Sequence, residues 1–139
     1  MYEELRTQAD VILCEADGSK HHPCKAPAAH EPVLLPESDI VLAVAGTDAL
    51  GNSLQQVCQR PQLAAELLKC SLDSVIDEQM LAALLLSEQG ARKNVGTRGF
   101  YIVLNKCDLI SAAQQEEMLR LLVGAGIDEQ RIWLRERGE

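Results

Sequence analysis

The stretch GFYIVLNKCDLISAAQ, Gly99 to Gln114, decides the fold class. Its opening residues are almost continuously apolar, rich in β-branched and aromatic types and too short for a helix, so they predict a strand over Gly99–Asn105. Ser111 then stands three residues before Gln114, the spacing of a capping box, and opens a helix that Gly124 stops. Met118, Leu119, Leu122 and Val123 give that helix one buried face. A buried strand running straight into a capped helix is the unit from which parallel α/β sheets are built.

Three further segments read as strands: Val11–Glu15, Asp39–Ala45 and, more weakly, Arg131–Leu134. Val11–Glu15, Asp39–Ala45 and Gly99–Asn105 are near-continuously apolar rather than alternating, which predicts coverage on both faces. Between the first two runs DGSKHHPCKAPAAHEPVLLPES, where four prolines remove amide donors and disfavour helix before them, so a long loop is expected. GTDALGNS reads as a turn, and Pro61 at a first helical position predicts a helix to about Lys69. Asp77 caps another, with Glu78 in its first turn and Gly90 as its stop. Met80–Leu86 within it is apolar all round, which means burial or a face offered to a partner. MYEELRTQAD reads as a short polar helix. Helices alternating with strands predict one domain over residues 1–139, with parallel strands joined by right-handed crossovers.

With 139 residues, 47% of them hydrophobic, the chain is long enough for one core. A formal charge of -8 argues against a nucleic-acid backbone or an anionic membrane surface as partner. Five cysteines with no CxxC pair and no secretory signal ahead of them favour a reduced, cytoplasmic setting.

Asn105-Lys106-Cys107-Asp108 falls at the carboxyl end of the predicted Gly99–Asn105 strand, where open α/β sheets bind ligands. Guanine offers two adjacent donors, N1–H and the exocyclic amine, and a carboxylate such as Asp108 accepts both. The Lys106 stem suits the base plane, and Asn105 suits bracing the turn. Alternatively, Asp108 only starts a turn and Lys106 is a solvated charge. In VILCEADGSK an apolar strand ends in acid, which nominates Asp17, assisted by Glu15, beside a phosphate-bound magnesium. Asp17-Gly18 is equally a plain turn signal, and Lys20 occupies the position where nucleotide switches carry glycine. Lys20, Lys25 and His30 are candidate anion contacts. His21, His22, Cys24 and His30, with Cys14 nearby, are either a soft-metal site or a solvated loop, and their spacing matches no established metal pattern. No Gly-x-x-x-x-Gly-Lys-Ser/Thr phosphate loop is present in the sequence.

EADGSKHHPCKAPAAHEP (Glu15 to Pro32), AGTDALG (Ala45 to Gly51) and LNKCDL (Leu104 to Leu109) together resemble the YqeC family over nearly the whole chain. That family is regarded as P-loop nucleotide-binding proteins, accessory to selenium-dependent molybdenum hydroxylases. The resemblance implies an α/β fold, specifically a partial P-loop NTPase-like three-layer sandwich with a mostly parallel sheet, lacking the first strand and P-loop. Family members carry that loop ahead of the acidic strand, so this chain corresponds to a C-terminal portion. The resemblance further implies GTP and magnesium as cofactors of the full-length protein and a selenium- or molybdenum-dependent hydroxylase, or its cofactor-loading machinery, as partner. It carries over Asp17 as metal-proximal acid and Asn105, Lys106 and Asp108 as base readers. A missing strand would leave two sheet edges unpaired, so self-association or rearrangement is expected.

Overall fold

The computed structural model describes residues 1–138. The elements run, in chain order, α1 (Tyr2–Arg6), β1 (Cys24–Lys25), β2 (Ile40–Gly46), α2 (Leu54–Val57), β3 (Cys58–Gln59), α3 (Pro61–Leu68), α4 (Glu78–Leu86), β4 (Gly99–Asn105), α5 (Ala112–Gly124) and β5 (Ile132–Leu134). The order β2-β4-β5 makes a parallel sheet, and β1 pairs with β3 in a second, two-stranded parallel one. The fold is thus mixed α/β with parallel strands and no closed barrel. Among the described residues no helix is long and apolar enough to cross a membrane.

β2 and β4 align end to end, Ile40 beside Gly99 and Gly46 beside Asn105. Side chains alternate across such a pair, so one face collects Ala43, Ala45, Phe100, Ile102, Leu104 and, from β5, Ile132. These are buried in one core with Leu81, Leu84 and Leu85 of α4 and Met118 and Leu122 of α5. Burial of these side chains, at roughly 25 cal/mol per Å² of apolar surface, is the main force holding helices to sheet. The Met80–Leu86 apolarity is therefore spent inside: Leu81, Ala82, Leu84 and Leu85 are all buried.

Helix ends follow local chemistry. The Asp77 carboxylate accepts from the Met80 amide at 2.8 Å, and Ser111 and Gln114 complete their capping box. α4 ends at Leu86 rather than near Gly90. Gly90 serves a close approach instead, because a Cβ there would strike the Leu84 carbonyl, which accepts from Ala91.

Several expectations are corrected. Val11–Glu15 is no strand: it runs irregularly through solvent, with Val11 75% and Leu13 86% exposed. Apolar β-branched residues make a strand only where a neighbour takes their backbone groups, and among the described residues no strand pairs with this segment. β2, expected to be covered on both faces, is covered on one. Ile40, Leu42 and Val44 are 54%, 46% and 61% exposed, so among the described residues this face has no helical layer and the sheet region has two layers, not three. The β1–β3 pair and the short α2 escaped the sequence reading, the former because two-residue strands carry no periodic signal.

Candidate functional site

Parallel register delivers two loops to one place. Because Gly46 lies beside Asn105, the tight turn Thr47–Ala49 after β2 abuts the turn Cys107–Leu109 after β4. The Thr47 hydroxyl, fully buried, donates to the Lys106 carbonyl at 2.7 Å, and the Lys106 ammonium reaches Asp48 Oδ2 at 2.8 Å. Lys106 sits in the left-handed region at φ 64°, uncommon for a side chain of its size, and these two bonds hold it there. Gly46 is needed for close approach: a Cβ would land on Asp48 Oδ1 and 2.9 Å from the Pro23 Cβ.

Asn105 ends β4 half-buried. Cys107 is buried, its amide donating to the Arg135 carbonyl at 2.8 Å and its carbonyl accepting from Gln115 Nε2 at 2.9 Å. Burial pushes the Cys107 thiol up from its ordinary range. With its neighbour anchored inward, Asp108 is turned out to the carboxyl edge. Its Oδ1 accepts from the Arg137 amide at 3.0 Å and its Oδ2 from the Arg137 guanidinium at 2.6 Å. First the amide, then the guanidinium, holds the Asp108 carboxyl below the usual carboxylate range.

The other nominated residues gather elsewhere, in the Pro-rich loop. Lys25 Nζ lies 3.1 Å from Asp17 and 3.0 Å from Glu31, and donates to the Gly18 carbonyl at 2.8 Å. Arg60 grips Glu31 with both guanidinium arms, at 2.7 and 3.0 Å. Burial raises the Glu31 carboxyl, but Lys25, the Ala28 amide and Arg60 outweigh it and hold the group at about 2. Lys25 is thus committed to carboxylates and not held open for an anion. Lys20 and Glu15 are exposed, and His30 is exposed 3.9 Å from Glu31.

The acid nominated for the magnesium side is already engaged in this arrangement. Asp17 faces an ammonium, and among the described residues no group of three or more His, Cys, Asp or Glu side chains is arranged to hold a metal. The nominated histidines and cysteines are not gathered into such a group either. His22 bonds the Ser19 carbonyl, Cys14 is exposed, and Cys24 lies buried directly across from Cys58. The Cys24 thiol donates to the Val57 carbonyl at 3.5 Å, and the adjacent Cys58 thiol and then burial push it up from its ordinary range.

Asp48, Thr47 and Arg137 were not singled out by sequence reasoning. Asp48 and Thr47 were readable in principle, since aligning the carboxyl ends of β2 and β4 places AGTDALG beside LNKCDL. Arg137 carried no signal.

No solved structure matches this chain significantly. The chain is 36% identical over 132 residues to "Uncharacterized protein YqeC" of Escherichia coli (strain K12). That alignment takes in 93% of this chain and 51% of the relative, so the chain spans about half the relative's length. Similarity to a YqeC chain thus extends over nearly all the sequence, and within it residues 1–62 match the family model described as YqeC protein.

Proposed function

We propose that the chain supplies the guanine-reading side of a nucleotide site, GTP being the expected ligand, in an accessory or maturation factor for selenium- or molybdenum-dependent hydroxylases. The base-reading part rests on the turn after β4, and the hydroxylase part rests on the YqeC resemblance alone. The observation that carries the reading is Asp108, whose two oxygens face outward and accept two donors from Arg137. Guanine N1–H and amine would present the same demand to the same carboxylate. Lys106, bonded by its carbonyl to Thr47 and by its ammonium to Asp48, would offer its aliphatic stem to the base plane. No phosphate contact and no hydrolytic step is assigned to these residues, because Lys25 is occupied and Asp17 faces it.

Asp108→Asn tests the reading in a chain of the relative's length, by equilibrium dialysis with guanosine and xanthosine nucleotides. An amide donor suits the xanthine carbonyl, so preference should pass from guanine to xanthine. Unaltered guanine preference, or no binding by either protein, removes Asp108 from the role.

A second reading, a non-catalytic partner-binding module, is favoured by the apolar sheet face around Ile40, Leu42 and Val44. It expects partner binding indifferent to added nucleotide.

A further inference from the structure

Cys24 and Cys58 stand in register on β1 and β3, each the direct partner of the other across a parallel pair. Partners in register project to one face, so both thiols turn into the core together. Neighbouring strands lie about 4.7–4.9 Å apart, inside the roughly 4.4–6.8 Å that a disulfide spans between Cα atoms. Both cysteines are free thiols. Cys24 donates to the Val57 carbonyl at 3.5 Å and Cys58 to its neighbour Gln59 at 3.4 Å. S–H is a weak donor, so neither bond holds its sulfur back from the other.

Their surroundings set the two sulfurs apart. The Cys24 thiol beside it, joined by the Ala26 amide, outweighs burial and brings the Cys58 thiol below its ordinary range, while Cys24 is pushed above its own. One sulfur is thus the readier thiolate and the other keeps its proton, the division that an attacking and a resolving cysteine need. We propose that Cys24 and Cys58 form a modification site for hydrogen peroxide, closing to a reversible disulfide. β1 and β3 are two residues each, so the pair can open locally without the fold. An oxidant scarcely larger than water then reaches the buried sulfurs, whereas a bulky disulfide such as oxidised glutathione is kept out.

The Cys58 thiolate attacks one peroxide oxygen, the O–O bond breaks, and hydroxide leaves to take up the proton that Cys58 released. Cys58 is now a sulfenic acid. Cys24 attacks that sulfur, the S–O bond breaks, and water leaves with the Cys24 proton as the S–S bond forms. Two thiols and one peroxide become one disulfide and two waters. Closing the bond draws the Cβ atoms in from strand spacing to about 3.8 Å, which leaves it readily reduced by a dithiol. Lys25 follows Cys24 and Arg60 stands just beyond Cys58, and both grip Glu31. The crosslink therefore ties together the two segments that carry the cations of the Pro-rich loop.

The test treats the native chain with hydrogen peroxide, blocks remaining thiols with N-ethylmaleimide in denaturant, and maps peptides by mass spectrometry. Cys24–Cys58 should be the predominant crosslink, should vanish with dithiothreitol, and should slow amide exchange over residues 24–31 about tenfold. Oxidised glutathione at the same concentration should give little of it. In Cys24→Ser, dimedone should trap a sulfenic acid at Cys58. Limiting iodoacetamide on the unoxidised wild type reads the same order without a substitution, and should label Cys58 before Cys24. Both residues recovered as maleimide adducts after peroxide, or crosslinks shared equally with Cys14 and Cys70, overturn the site. Labelling of Cys24 first overturns the assigned order, and equal crosslinking by oxidised glutathione overturns the choice of oxidant.

Discussion

Val11–Glu15 and Ile40–Gly46 are nearly the same kind of sequence, VILCE and IVLAVAG, yet one is solvent-borne chain and the other a strand. The difference lies outside both segments. Ile40–Gly46 has Gly99–Asn105 beside it along its whole length, and α4 and α5 over one face. Among the described residues Val11–Glu15 has no strand beside it, and Val11 and Leu13 remain in water. Composition licenses a strand, and a neighbour makes one.

The sharpest way to break that comparison is to truncate one leucine in each region. Leu104 of β4 is fully buried among α4 and α5, so Leu104→Ala should cost about 3 kcal/mol of unfolding free energy in a denaturant titration. Leu13→Ala removes a side chain that touches little, and should stay within about 0.5 kcal/mol. Equal losses would mean that Val11–Glu15 is packed in solution after all.

Between these extremes sits the Pro-rich loop that follows Val11–Glu15, held by ions instead of by a sheet. Glu31→Gln leaves Lys25 and Arg60 facing a neutral amide and should cost about 2–3 kcal/mol at neutral pH. The Glu31 carboxyl falls from an ordinary 4.5 to about 2 on folding, so its contribution is complete above pH 4.5 and disappears as pH falls through about 2. Thermal melts across that window should show wild type and Glu31→Gln converging toward the acid end. A constant gap would assign the loss to packing instead. The smallest effect belongs to the helix start that follows β4. Ser111→Ala should cost about 1 kcal/mol, read by the same titration, because it strips the Gln114 amide of its acceptor.

Legibility followed the same division. Gly99–Asn105 and the capping box at Ser111 were readable because each carries its own local cause, an apolar run or a side chain that satisfies orphan amides. The Asp77 cap was readable for the same reason. The fate of Val11–Glu15, the bare face of β2 and the β1–β3 pair were not, since each depends on what lies beside a segment. The candidate site divides likewise. Asn105, Lys106 and Asp108 stand together in sequence and were found; their holders Thr47, Asp48 and Arg137 arrive from far along the chain. Asp17, Lys25 and His30 were nominated by type, and geometry spends Asp17 and Lys25 on tying the loop to itself.

The clasp on Asp108 has a thermodynamic corollary. Arg135 and Arg137 are laced to the turn after β4 by the bonds Arg135 to Leu104, Cys107 to Arg135 and Arg137 to Asp108. Anything that takes both Asp108 oxygens must first displace Arg137. Occupancy of the turn and docking of this tail are then linked equilibria: whatever factor the docked tail subtracts from a ligand's affinity, the ligand subtracts from the docking.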